Sequence, residues 1–329
     1  MILVGDIGGT KARLAAFETE GNRLLCAVEK IYPSKEHTGL AEIVAHFTKT
    51  EGIPAQAACF GVAGPVRGGR SRISNLPWVI DSRELAALLR LRSVGLINDL
   101  EASAYSLDVL ESKDFVTLSE GAASPEGNTA VVSAASGLGE AGLYWDGFRH
   151  HPFACEGGHT DFAPKSEVEL ELLRYLMKRY DHVSVERILS GPGVQNVYDF
   201  LRDTGKEEEP AWLRDRIAAA LDAPALISEL AITQKVPICD RTLSIFVSIF
   251  GSEAGNCALK FMSTGGLYIA GIAAKIVSKM QESNFMDAFL NKGRMKSLLQ
   301  EVPVKIVLND DSGLIGAARF TLVQKAFRM

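Results

Sequence analysis

The 329-residue chain has few cysteines and none spaced as a ligand pair. Cys26, Cys59, Cys155, Cys239 and Cys257 are scattered and odd in number, which argues against a disulfide framework and against a zinc site. A reducing cytoplasm suits such a chain. There is no block of basic residues: 35 Lys and Arg stand against 40 Asp and Glu, a net charge of -5, so nucleic acid is not an expected partner. Nor is a membrane, because no uncharged apolar run approaches the roughly 20 residues of a bilayer span. The most apolar window, Thr242 to Ser252, is closed by Arg241 and Glu253 and reads as a buried helix. No charged leader with an apolar stretch and a cleavage site opens the sequence, so export is not expected. A repeat of fixed period and a low-complexity tract are also missing.

What is present is enough apolar residue, 47%, to build cores in a chain longer than the roughly 250 to 300 residues at which one core stops growing. Two α/β domains are therefore expected, one from 1–109 with 308–329 and the other from 110–307. Short β-branched runs alternate with helical patterns in the first third: strands at Ile2 to Val4, Arg13 to Phe17, Leu24 to Ile31, Ala57 to Val62 and Val94 to Ile97, and a helix at Leu40 to Thr48. Asp81 with Glu84 signals a helix start. Further on, a strand is expected at Ala130 to Ala134, and Asp146-Gly147 predicts a hairpin turn between Leu143–Trp145 and Phe148–Cys155. Ser166 with Glu169 predicts a capped helix to Tyr180, and Ser184 a short one carrying Glu186 and Arg187. Lys206 to Pro210, with three glutamates, reads as a solvated loop. A long helix spans Asp240 to Phe261, strands follow at Leu267 to Ala270 and Val304 to Leu308, and a terminal helix carries Gly316, Ala317 and Ala318, whose small size permits close packing.

Four clusters carry candidate chemistry. Gly5-Asp6-Ile7-Gly8-Gly9-Thr10-Lys11 places a carboxylate at a strand end, then a glycine turn leading into another strand rather than a helix. That is a hairpin, not a Rossmann or Walker loop, and its backbone N–H groups can face phosphate oxygens. Asp6 suits Mg²⁺ through water, and Thr10 and Lys11 suit the phosphates. Asn98-Asp99 lies at a strand's carboxyl end, where α/β proteins place ligands. Asp99 can take a proton from a hydroxyl, although taken by itself it better suits the N-cap of a helix over Leu100 to Leu107. Glu156-Gly157-Gly158-His159 and Glu186 offer carboxylates and an imidazole to a ring of hydroxyls, with glycines that permit close backbone approach. Taken singly, each has a plainer role: a loop histidine, a glutamate at a helix start. His150-His151 point to opposite faces of a strand and do not make a metal pair.

Together these residues resemble the bacterial-type glucokinases, ATP-dependent hexose kinases of the hexokinase, Hsp70 and actin superfamily. Gly5 to Thr10 resembles the family's first phosphate motif, Asn98-Asp99 its sugar-and-base motif, Glu156-Gly157-Gly158-His159-Thr160-Asp161-Phe162 its sugar loop, and Ser184 to Gly191 another family segment. A cysteine-rich zinc motif follows the Glu-x-Gly-His element in the ROK branch. Here Asp161-Phe162-Ala163-Pro164 follows, which favours the zinc-free branch. The resemblance implies a two-domain actin-like ATPase (ribonuclease H-like) α/β fold with an interdomain cleft. It implies glucose as substrate, ATP and Mg²⁺ as cofactors, a homodimer, Asp99 as general base, and Asn98, Asp99, Glu156, His159 and Glu186 as hexose ligands, with Asn75 as a further candidate. Ser136, Gly137 and Gly271 fall on the nucleotide side.

There the pattern departs twice. Ala135-Ser136-Gly137-Leu138-Gly139 stands where the family has Gly-Thr-Gly, and Ala270-Gly271-Ile272-Ala273 where it pairs glycines; Ile272, being β-branched, is ill suited to positive φ. Those departures motivate an alternative: a sugar-binding regulatory protein with weakened ATP use. Another is a kinase of the same superfamily with a different hexose or phosphoryl donor.

Overall fold

The computed structural model describes residues 1–326 apart from Asn22, Ser74, Asn75 and Ala123, so the Asn75 candidate lies outside the described residues. The chain divides into two compact units: Met1–Ser112, Pro152–Ala154 and Asn309–Met329 form the first, Lys113–His151 and Cys155–Leu308 the second.

In the first unit, strands β1 (Ile2–Ile7), β2 (Lys11–Glu20), β3 (Arg23–Pro33), β4 (Ala57–Val62) and β8 (Gly95–Asn98) form a sheet in the order β3-β2-β1-β4-β8. The short strands β5 (Val66–Arg67), β6 (Arg70–Arg72) and β7 (Val79–Asp81) make a second sheet. β1 runs antiparallel to β2 and parallel to β4, and β4 runs parallel to β8. Because strand side chains alternate, Leu3 and Ile7 join the core that holds Phe47 and Phe60, while Ile2 and Val4 join a second core with Ala102, Leu314 and Ala317. Asp6 shares the parity of Ile2 and Val4. It therefore points to the side covered by the helices Asp99–Ser106 and Ser312–Ala326.

Those two helices pack closely because Gly316 has no side chain: a Cβ there would lie 1.7 Å from the Ala102 carbonyl oxygen. The small residues at Gly316, Ala317 and Ala318 thus do what the sequence suggests.

In the second unit, β9 (Phe115–Ser119), β10 (Thr129–Ala134), β11 (Leu138–Trp145), β12 (His150–Cys155), β13 (Gly266–Gly271) and β14 (Val304–Val307) form a sheet ordered β12-β11-β10-β13-β14-β9. The Asp146-Gly147 turn is present. Gly147 has φ 100°, and the Asp146 carboxylate accepts the Phe148 and Arg149 N–H groups at 2.8 and 2.9 Å. Helix Pro237–Phe261 starts earlier than the sequence suggests, with proline in its first turn, where the missing N–H costs nothing. It is long and apolar enough to cross a membrane, yet 78% of its apolar window is buried against Phe285, Phe289 and other core residues.

Two expectations need correction. The helix after Ser166 runs Glu167–Leu176 rather than to Tyr180, because the Arg179 and Tyr180 N–H groups both turn back to the Leu176 carbonyl. The 206–210 stretch is not uniformly solvated. The Glu209 side chain is 4% exposed and accepts hydrogen bonds from the Tyr198 hydroxyl and Arg214 Nε, both at 2.9 Å.

Replacing Gly316 by Val should force the two helices apart and lower stability by about 1–3 kcal/mol or more. Denaturant unfolding reads this as a lower midpoint, with the smaller Gly316→Ala intermediate between the two.

Candidate active site

In the first unit the candidate residues collect at the carboxyl ends of β1, β4 and β8. Register pairs Asp6 with Gly61 and Val62 with Asn98, so one strand separates the Asp6 turn from Asn98-Asp99. That strand narrows to Gly61, whose added Cβ would lie 3.0 Å from Ala102 Cβ and 3.5 Å from Asp99 Cα. Asn98 caps the following helix: its Oδ1 accepts the Leu100 and Glu101 N–H groups at 2.9 and 3.2 Å, and its Nδ2 donates to the Gly64 carbonyl at 3.4 Å. The cap is therefore Asn98, and Asp99 becomes the first helical residue, with its own carboxylate accepting from Leu100 N–H at 2.9 Å.

The Gly8–Lys11 turn closes through Gly8 N–H to the Lys11 carbonyl at 3.0 Å. Ser34, fully buried, braces it by donating its hydroxyl to the Gly8 carbonyl at 2.9 Å and its N–H to the Thr10 carbonyl at 3.0 Å. Thr10 and Lys11 are exposed. Gly5 and Ile7 serve packing: a Cβ on Gly5 would come within 2.6 Å of Phe60, and the Ile7 side chain is buried.

Burial raises the pKa of Asp6, with Arg13 and then Lys11 pulling it back and Glu29 adding to the rise. Arg13 also donates to Glu29 at 2.8 Å, to the Asp310 carbonyl at 2.8 Å and to the Asp311 carboxylate. It thereby ties β2 to the segment that brings Gly313 against Asp6, where an added Cβ would sit 3.5 Å from the Asp6 Cγ. Sequence reading missed Arg13, Ser34, Gly61 and Gly313 as parts of this site. Of these, only Gly313 stood in a recognisable turn, the polar run Asn309-Asp310-Asp311-Ser312-Gly313 before the terminal helix.

In the second unit the start of β11 organises the rest. Leu138 N–H donates to Glu186 Oε2 at 3.0 Å, and Gly137 leaves room for that carboxylate, since a Cβ there would lie 2.5 Å from the same oxygen. Gly158 rests on Leu138, whose carbonyl oxygen would be 2.1 Å from a Cβ. Gly157 rests in the same way on the Glu140 carboxyl, at 1.8 Å. The glycines of the sugar loop are thus demanded by β11. The loop itself is a 3-10 turn, Gly157–His159, with His159 N–H bonded to the Glu156 carbonyl. Glu156 Oε2 and His159 Nε2 lie 3.8 Å apart, and both side chains are more than half exposed. The chain after the loop pairs with the chain before Glu186: Phe162 N–H to Val183 carbonyl and Val185 N–H to Thr160 carbonyl, each 3.0 Å. Glu156, His159 and Glu186 are thereby brought into one neighbourhood with the Ser136-Gly137 turn.

Ser136 is exposed at the tip of that turn, which closes through Ala135 N–H to the Gly137 carbonyl at 2.7 Å. On the neighbouring strand, Gly271 pairs with Ala134 and has φ 77°; a Cβ there would lie 2.1 Å from the Ala134 carbonyl oxygen. The positive φ thus falls on Gly271. Ile272 is the first residue of the short helix Ile272–Lys275 and has no positive φ, and neither has Ala135. The expected strain at Ile272 is absent, and with it one reason to doubt the nucleotide side.

A family model described as Glucokinase matches residues 3–324. The chain belongs to the glucokinase family. A glucokinase of Nostoc sp. (strain PCC 7120) is 40% identical over 97% of this chain and 98% of its own length. The crystal structure of a glucokinase from an Antarctic psychrotroph superposes with a TM-score of 0.82 at 34% identity, covering 98% of both chains. A ROK-family glucokinase from Streptomyces griseus, solved with glucose and AMPPNP, shares the fold at 18% identity, with a TM-score of 0.66 over 98% of this chain and 99% of its own. The actin-like α/β fold expected from the sequence is the one these glucokinase-family structures share.

Gly271→Ala should cost about 1–3 kcal/mol of stability, the scale of a forced left-handed residue. Ala135→Gly, by contrast, should move stability by less than about 1 kcal/mol, since no positive φ is needed there. Thermal unfolding of the two variants checks the contrast.

Proposed function

We infer that the chain transfers the γ-phosphoryl group of ATP to the 6-hydroxyl of glucose, giving glucose 6-phosphate and ADP, in the cytoplasm and as a homodimer. The observation that carries the reading is Asp99 held by the Asn98 cap one strand away from the Asp6 turn, in a chain of the glucokinase family. Phosphoryl transfer asks little covalent chemistry of the protein. It asks for position and for charge stabilisation.

Asp99 accepts the proton of the sugar hydroxyl and aims the oxygen. Asn98, Glu156, His159 and Glu186 hold the remaining hydroxyls, Asn98 through its amide N–H because its oxygen is already committed to the helix cap. The Gly8 to Lys11 turn and Ser136-Gly137 donate to phosphate oxygens, and Gly271 lets the chain pass close to the nucleotide. Asp6 fits Mg²⁺ held through water: a single carboxylate, beside a turn of backbone donors, whose burial works against its charge until a cation offsets it. When bound, Mg²⁺ neutralises the phosphates as charge moves toward the leaving group.

The alternative of a regulator with weakened ATP use drew on Ala135 and Ile272, and neither position carries the backbone strain that would support it. A coupled assay for ADP release, run over a panel of hexoses and phosphoryl donors, tests the reading. Glucose with ATP should be the best pair, and glucose binding without ADP release would point to the regulator instead. Asp99→Asn should lower kcat by at least about 10²-fold while glucose binding persists, the scale of general-base catalysis. Unchanged turnover would remove Asp99 from that role.

A further inference from the structure

Beneath the sugar loop lies a polar cluster that the phosphoryl-transfer chemistry does not use. Glu140, in β11, is 1% exposed, and its Oε1 has no hydrogen-bond partner among the described residues. Its other oxygen supports Gly157, and its backbone carbonyl accepts the Cys155 thiol at 3.4 Å. From the helix Pro237–Phe261, Glu253 and Cys257 face it; one oxygen of each carboxyl and the Cys257 sulfur all lie within 4.8 Å of one another. Lys260, on the same helix, places Nζ 3.2 Å from Glu253 Oε1, while Cys155 and Glu156 approach from the loop side.

Glu253 draws on Lys260 by direct contact and on Lys165 and Lys292 through space, whereas Lys260 is the cation that acts on Glu140, so the charge left to neutralise is that of Glu140. A metal ion is poorly served here. Glu253 already binds Lys260 through one oxygen and Asn256 Nδ2, at 2.8 Å, through the other, and burial pushes the Cys257 thiol well above its ordinary value. A proton serves better. We propose that Glu140 is a positioning residue for the hexose loop: as a neutral acid beside Glu253 it forms the seat under Gly157 and so sets the aim of Glu156 and His159. The proposal rests on the reading of that loop as glucose-binding.

Burial first, and then the Glu253 charge, push the Glu140 pKa up to about 7, against the Cys257 thiol and Lys260. The folded chain therefore keeps a proton that the unfolded chain releases near the ordinary carboxyl value. What depends on that proton is fully present at low pH and is lost as pH rises through about 7. Above it, the orphaned Oε1 becomes part of a buried anion, and the group relieves that by moving, with Gly157 above it.

The test is the pH dependence of KM for glucose and of kcat in the wild-type chain, Glu140→Gln, Glu253→Gln and Lys260→Met. In the wild type, KM should rise about tenfold per pH unit above the transition while kcat changes little, as expected for loss of one proton that binding requires. Glu140→Gln, a neutral mimic, should keep KM low and flat, and its melting temperature should fall less than that of the wild type between about pH 4.5 and about pH 7, the interval in which the folded chain holds a proton that the unfolded chain has released. Glu253→Gln should move the KM rise to lower pH and Lys260→Met to higher pH, since the first removes a charge that raises the pKa and the second one that lowers it. Lys260 is half exposed, so that variant retains the fold if a core substitution does not.

A KM profile that is the same in wild type and Glu140→Gln overturns the proposal alone. So does a shift of Glu253→Gln and Lys260→Met in one direction, or a stoichiometric divalent metal in the purified wild type that Glu140→Gln no longer retains. Absence of glucose-dependent ADP release from the wild type at every pH overturns the glucose reading and takes this proposal with it.

Discussion

The hydrogen bond from the Leu138 N–H to the Glu186 carboxylate joins the turn read as phosphate-facing to the residues read as hexose-facing. A bond to a charged acceptor contributes about 1.5–3 kcal/mol, so it fixes the Ser136-Gly137 turn against the segment that carries Glu186. Its geometry depends on things that are missing. Gly137 has no Cβ in the way of the carboxylate, Gly158 none in the way of the Leu138 carbonyl, and Gly157 none in the way of Glu140. Since β11 is laddered to β10 from Ala134–Leu138 onward, these contacts inherit the rigidity of the sheet.

The first unit reaches a comparable result by other means. Strand alternation turns Asp6 to the side that the Asp99–Ser106 and Ser312–Ala326 helices cover, and the Asn98 side chain spends its oxygen on the cap that makes Asp99 the first residue of a helix. The N-termini of both helices then lie near Asp6, through Gly61 and Asp99 on one side and Gly313 on the other. The Leu100 and Glu101 N–H groups of the first end are taken by the Asn98 cap, and Arg13 holds the second end in place through Asp310 and Asp311.

The motif residues were readable because each cluster couples a polar side chain to glycine within a few positions, and the strands carried clear alternation. Glycine marks where backbone must come close even when the partner is unknown. The partner itself was not readable: nothing in Glu156-Gly157-Gly158-His159 says that Leu138 and Glu140 lie underneath. Glu140 fell between two expected strands and Glu253 at the end of an apolar helical window, and neither showed that it would be buried, since burial depends on what packs on top. Arg13 and Asp311 are 298 residues apart in sequence, beyond the reach of any local pattern. Ile272 is ill suited to positive φ and does not need it, because the positive φ falls on Gly271, where the strand ends, and the helix begins immediately after it.

The close seat of Gly316 against Ala102 also has a bearing on how the chain is made. Strands β1, β4 and β8 leave the ribosome long before the Ser312–Ala326 helix that shields their Ile2, Val4 and Cys59 side. The second unit, whose described strands and helices lie between, can assemble first. The first unit must wait, its apolar flank uncovered, for the Ser312–Ala326 helix to emerge and cover it. A chain stalled between Leu308 and Ser312 would thus present a nearly finished second unit beside an open sheet, and that is the species a chaperone would be expected to hold.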